Sequence, residues 1–275
     1  MLRIGCVKYL NARPLIRGWK GEVDFDHPSA LCNKLAGGKL DVALVSSFEF
    51  LRNPIYQIVD HVSISSDGPV YSVVVAHRGK ISDIEEIELD PASETSANLL
   101  RGLLAKLGLS PHLVDGNGPK AFGTKGSARL LIGDQAMRFR QEHADEFSFW
   151  DLGEQWQKLF NIPFTYALWL IRPEVDDPEQ IAERLRVLRD ENLANLGVVI
   201  TEAIADVGSS REGSQGKTDG SNQQKVLSRE FLFQYYRKHL RFGFGEREKE
   251  GLRTFANLCA TQGLIPKRDL ALRFS

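Results

Sequence analysis

The 275-residue chain is poor in cysteine and methionine, with three and two. Cys6, Cys32 and Cys259 are far apart and odd in number, which suggests neither a disulfide framework nor a zinc cluster. Cys6 stands in an apolar opening and reads as a small buried residue. No stretch approaches the ~20 apolar residues of a membrane span. No sign of charge dominates: 35 Lys and Arg face 36 Asp and Glu, a formal charge of −1. Such a surface makes no broad field for nucleic acid or anionic membrane, so neither is expected as a partner. Any anionic ligand must be held by local donors. The opening Leu2 to Val7 reads as a strand and not as a secretory leader, so a reducing cytoplasm is the expectation.

Chemical motifs are also sparse. None of the six histidines falls in a His-Glu-x-x-His pair or beside a cysteine ligand, so no metal and no cofactor is expected. His61, near a polar stretch, reads as a surface residue. The nucleophile elbow of serine hydrolases is missing. Gly116 to Ala121 approximates a dinucleotide fingerprint, but Pro119 and the residues after it do not open a helix. Gly118 to Gly123 has phosphate-loop spacing followed by Thr124-Lys125, the wrong order.

What is present is an ordinary globular composition, 42% apolar and 26% charged, enough to bury a core. The first half alternates strand-like and helix-like segments. Arg3 to Val7, Leu40 to Val45 and Tyr71 to Ala76 read as strands, and Pro28 to Gly37 as a helix between the first two. The middle repeats the scheme: a strand at Ile87 to Asp90, a helix carrying Leu99, Leu103 and Leu107 closed by Gly108, then strands at Leu130, at Phe147 and over Phe164 to Ile171. Strand–helix–strand order predicts an α/β fold with right-handed crossovers. Two such units in series predict two lobes. Residues 1–86 and 177–275 are assigned to the first and 87–176 to the second. The last third reads as helical, with starts at Asp177-Pro178 and Ser228. Residues 211–224 are polar, with no large apolar side chain, and read as a flexible insertion.

Ligands of open α/β sheets bind beyond the carboxyl ends of strands. The residues there are Tyr9 and Asn11, then Ser46 and Ser47, the stretch Ser63 to Pro69 with Ser66 and Gly68, then Thr95 and Ser96, and Asp134. The set is rich in hydroxyls and poor in titratable bases. Thr95 and Ser96 open a helix, whose first turn carries free N–H groups and about half a positive charge. Such a site takes a carboxylate or phosphate, or is simply an N-cap. Asn11 does not titrate; it holds a hydroxyl or carboxylate, or stabilises a turn. Arg13 either supplies charge to a dianion or is solvated.

These segments resemble a known family. Tyr9-Leu10-Asn11-Ala12-Arg13-Pro14-Leu15 is similar to the opening of the menaquinone-pathway chorismate dehydratases. The likeness continues through Pro28-Ser29, Leu40 to Ser47, Ser63 to Val73, Leu89-Asp90, Thr95-Ser96 and Leu131 to Asp134. It then takes in Asp151 to Trp156 and Pro163 to Trp169, and more loosely Gly251-Leu252 and Phe255. Asn161 stands where the family usually has glycine. The related dihydroxynaphthoate synthases use a histidine after a Gly-rich stretch, for which this chain has no match. The resemblance implies a two-lobed fold like type 2 periplasmic binding proteins, each lobe three-layered with a cleft between them. It implies a hydro-lyase that converts the dicarboxylate chorismate to 3-enolpyruvylbenzoate in the futalosine route. Asn11 would be catalytic. Ser46, Ser47, Ser66, Gly68, Thr95, Ser96 and Asp134 would bind substrate. The alternative from the residues alone is a non-catalytic small-carboxylate binder of the same shape.

Overall fold

The computed structural model describes residues 2–115, 122–212 and 227–275. In chain order the elements begin with β1 (Ile4–Cys6), a 3₁₀ turn at Leu10–Ala12, α1 (Arg13–Ile16), β2 (Val23–Phe25), α2 (Pro28–Ala36), β3 (Val42–Ser46) and α3 (Ser47–Arg52). There follow β4 (Gln57–Ser66), β5 (Val73–His77), β6 (Glu86–Leu89), α4 (Glu94–Leu107), β7 (His112–Asp115), β8 (Ser127–Ile132), α5 (Gly133–Glu142), β9 (Ser148–Asp151), α6 (Leu152–Phe160) and β10 (Phe164–Ile171). The chain ends with α7 (Pro178–Ala194), α8 (Leu196–Glu212), α9 (Arg229–Gln234), a π-helical turn at Tyr235–His239 and α10 (Glu246–Thr261).

Ten strands form two five-stranded sheets of the same design. The first runs β2-β1-β3-β10-β4 and the second β7-β6-β8-β5-β9. In each, a parallel trio is extended by a strand antiparallel to both its neighbours: β10 in the first sheet and β5 in the second. Both of these strands arrive from the other lobe. The chain therefore crosses twice, once over 67–72 and once through α6. This corrects the sequence assignment at two points. Residues 73–77 belong to the second sheet and 164–171 to the first, whereas the expected boundaries were 87 and 176. The physical reason is that Val73 to Ala76 and Leu168 to Ile171 are almost wholly buried. An apolar run of this kind announces a strand and not the sheet it joins.

A further strand, β4, extends through Ser66, into the polar stretch that begins at Ser63. Ser63 and Ser65 are fully buried in it. Their hydroxyls bond each other at 2.9 Å, and Ser63 also donates to the Gly243 carbonyl. The segment 241–243 thus satisfies serines that hydrophobic alternation cannot reveal. Local signals elsewhere match the geometry. Ser93 caps α4 through the Ser96 N–H, and Gly108 ends that helix at φ 66°. Asn161 ends α6 at φ 55°, the left-handed conformation that glycine adopts freely and asparagine tolerates best. The expected insertion at 211–224 lies, apart from the last two residues of α8, outside the described residues, as does 116–121.

Candidate active site between the lobes

A small cavity of about 70 Å³ lies between the two sheets. The first lobe lines it with Tyr9, Asn11, Ser46 and Tyr166, the second with Ser72, Ser93, Ser96 and Gly133. Four helices begin at this wall. Pro28 is the first residue of α2, Ser46 precedes α3, Ser93 caps α4 and Gly133 opens α5. Helix N-termini carry the positive end of the dipole, which suits an anion, while the Phe48 N–H is taken by Thr95, the Ser96 N–H by Ser93 and the Gly133 N–H by the Ser72 carbonyl. No Asp, Glu, His, Lys or Arg lines it among the described residues.

Asn11 sits on the 3₁₀ turn after β1. Its Oδ1 is buried and has no hydrogen-bond partner. A buried polar atom left unpaired costs about 1–3 kcal/mol, so the Asn11 Oδ1 is an acceptor open to a donor group. Tyr9 packs over Gly133: a Cβ there would stand 3.3 Å from the Tyr9 ring. Burial, with the nearby charges of Asp90 and Asp134, pushes the Tyr9 phenol up to about 12. Burial raises Tyr166 further, helped by Asp151. Both phenols are therefore neutral donors near neutral pH.

The candidate residues separate into wall and frame. Asn11, Ser46 and Ser96 are on the wall. Ser93 donates to the Ser96 hydroxyl at 2.9 Å, so these two form one patch. Thr95 faces the first lobe instead. Its hydroxyl bonds those of Ser46 and Ser47, the latter at 3.3 Å, and accepts the Phe48 N–H at 3.0 Å. Ser47 donates to the Thr165 carbonyl at 2.8 Å. Ser66 and Tyr166 pair at 3.2 Å. Gly68, at φ 120°, lies in the first crossover with its carbonyl against Gly153. Neither Ser66 nor Gly68 lines the cavity.

Asp134 lies outside it as well. Its carboxylate accepts the Leu10 N–H at 3.0 Å and faces a separate open groove. Burial raises its pKa against the opposing pull of that N–H, Arg138 and Arg13. Arg13 lines the same groove and pairs with Asp206 at 2.8 Å. His61 is an exposed surface residue.

Residues not foreseen are Ser72, Tyr166 and Asp151. Asp151 is buried and accepts N–H bonds from Val70, Tyr71 and Glu154 at 3.0, 2.8 and 3.1 Å. It thereby fixes the first crossover, where Tyr71 has φ 68°. Burial still outweighs those bonds and raises its pKa. A sequence signal existed for it: Asp three residues before Glu at a helix start is an N-cap pattern. No sequence spacing relates Ser72 to Tyr166.

Two sheets, each with one exchanged antiparallel strand, and a cavity at their facing edges define a two-lobed α/β protein of the periplasmic-binding-protein kind. Similar solved structures share that fold. Protein AF1704 from Archaeoglobus fulgidus superposes with a TM-score of 0.64 at 17% identity, over 96% of this chain and 98% of that one. The aliphatic sulphonate binding protein SsuA from Escherichia coli gives 0.59 at 13% identity, over 98% and 89%. The chain belongs to the menaquinone biosynthesis family, whose model matches residues 2–261. It is 26% identical to the chorismate dehydratase of Thermus thermophilus over 273 residues, 92% of this chain and 93% of that protein. No helix among the described residues is long and apolar enough to cross a membrane.

Proposed function

We propose that the chain is a chorismate dehydratase, a hydro-lyase that forms 3-enolpyruvylbenzoate for menaquinone by the futalosine route, in the cytoplasm. The observation that carries this reading is the cavity itself: an unpartnered Asn11 amide ringed by helix N-termini, with no titratable base on the described wall. The likeness to the Thermus thermophilus enzyme supplies the substrate.

The reaction suits such a wall. The ring carbon that bears the enolpyruvyl ether gives up its hydrogen as a proton. That electron pair becomes a ring double bond as the neighbouring hydroxyl departs, so proton and hydroxide leave together as one water. Aromatisation drives the step forward. The proton acceptor is the substrate's own enolpyruvyl carboxylate. The protein supplies orientation and preorganised dipoles. Asn11 donates to that carboxylate through Nδ2, or accepts the O–H of the departing hydroxyl at the unpartnered Oδ1. Ser46, Ser96 and Ser93 donate to the carboxylates, assisted by the N-terminus of α4. Ser47, Thr95, Ser66, Gly68 and Asp134 hold the wall in place. The cavity holds only a handful of waters, since each needs ~10–15 Å³. Substrate is admitted when the lobes part, and closure then excludes solvent.

The test is incubation of purified protein with chorismate and chromatography of the product. Formation of 3-enolpyruvylbenzoate supports the reading. Asn11→Ala is expected to keep its melting temperature and lose about 10²–10³-fold in turnover, the usual loss for one oriented donor. A second reading, a non-catalytic carboxylate binder, draws on the fold shared with a sulphonate binding protein. Tight binding of chorismate without conversion would favour it.

A further inference from the structure

In the π-helical turn Tyr235–His239 the helical ladder changes register, with the Leu240 N–H reaching back to the Tyr235 carbonyl at 3.1 Å. A π turn winds fewer degrees per residue than an α-helix, so consecutive side chains diverge less, and such turns gather at functional sites. Here Tyr235 and Tyr236 both point into the protein and are buried. Tyr236 donates its hydroxyl to the Leu10 carbonyl at 2.7 Å. Tyr235 donates to the Ser72 hydroxyl at 2.8 Å. His239, at the end of the turn, meets the Pro69 carbonyl through Nδ1 at 2.9 Å.

The Leu10 carbonyl belongs to the peptide plane that carries the Asn11 nitrogen. The preceding plane carries the Leu10 N–H, which is held by Asp134 from the second lobe. The peptide planes on either side of the Leu10 Cα are therefore both pinned, one residue before the unpartnered Asn11 Oδ1. We propose that Tyr236 and Asp134 are positioning residues that aim the Asn11 amide into the cavity, and that Tyr235 does the same for the Ser72 hydroxyl. This rests on the dehydratase reading for its kinetic arm and stands apart from it in its exchange arm.

Tyr236→Phe is a clean probe. The Leu10 carbonyl keeps the Arg13 N–H, so losing the phenol hydroxyl leaves no buried orphan acceptor. If the residue acts through Asn11, Tyr236→Phe lowers kcat on chorismate about tenfold with little change in KM. In an Asn11→Ala background the same substitution costs less than about twofold, because the group it aims is gone. An equal loss in both backgrounds, or no loss in either, would overturn the proposal. Asp134→Asn, which keeps an acceptor oxygen, should retain kcat where Asp134→Leu does not; equal losses in the two would count against the pin. The second arm needs no substrate. Hydrogen exchange at the Leu10 amide should quicken in Asp134→Leu and in Tyr236→Phe while amides of β3 stay protected. Unchanged exchange in both variants refutes the positioning role whatever the reaction is. If wild type fails to convert chorismate while the two variants still show the quickened exchange, the proposed function alone is refuted.

Discussion

At the scale of single residues, the molecule separates groups that line the cavity from groups that hold those in place. Thr95 shows the difference. One residue before Ser96 at the start of α4, it looks like a ligand donor. In the fold its hydroxyl joins Ser46, Ser47 and the Phe48 N–H across the lobes. Thr95→Val should destabilise the protein by about 1–3 kcal/mol, because the buried Phe48 N–H loses its acceptor. Thr95→Ser should stay near wild type, and denaturant unfolding compares the two. Asp134 is a similar case: its partner, the Leu10 N–H, lies 124 positions away in the chain. Asn11, Ser46 and Ser96 were legible because strand ends and helix starts are local features. The partners of Thr95 and Asp134 were not, because nothing local encodes a contact across the cleft.

At the scale of elements, strand existence was far more legible than strand partnership. Phe164–Ile171 was bounded correctly from its aromatic and aliphatic run, and Gly108 and Ser228 marked helix ends from their cap chemistry. The sheets that β5 and β10 join were misassigned, since both faces of either strand are apolar. Close packing of α6 and α10 gives a ranked prediction. A Cβ on Gly251 in α10 would lie 2.0 Å from the Pro163 carbonyl oxygen, a main-chain atom just before β10. A Cβ on Gly153 in α6 would lie 2.6 Å from the Gly68 carbonyl oxygen and 2.7 Å from the Ser66 hydroxyl. Overpacking of this kind costs about 1–3 kcal/mol or more. Gly251→Ala should lower the denaturation midpoint more than Gly153→Ala. Gly153→Ala should in addition slow turnover, because it displaces the crossover that leads to Ser72.

At the scale of the whole molecule, two lobes meet through hydroxyls, main-chain groups, the Asp134 carboxylate and the Arg52–Glu94 ion pair, with a cavity between them whose described wall carries no charged side chain. Stability across pH follows from groups buried in the lobes. His77, at the end of β5, is buried, and that burial lowers its pKa below the ordinary value of 6.5. The unfolded chain then binds more protons than the folded one as pH falls through 6.5, so stability is lost in that direction. His77→Gln should narrow the fall in melting temperature between about pH 7 and pH 5. An unchanged fall would show that other groups control it. The proposed dehydratase mechanism makes the opposite kind of statement, that no described residue on the wall titrates near neutral pH. The most direct measurement is the pH profile of kcat on chorismate between about pH 6 and pH 9, in wild type and Asn11→Ala. A flat wild-type profile, with the variant reduced evenly throughout, is the predicted result. A limb rising or falling near neutrality would expose a protein acid or base at the reacting carbon and contradict the account.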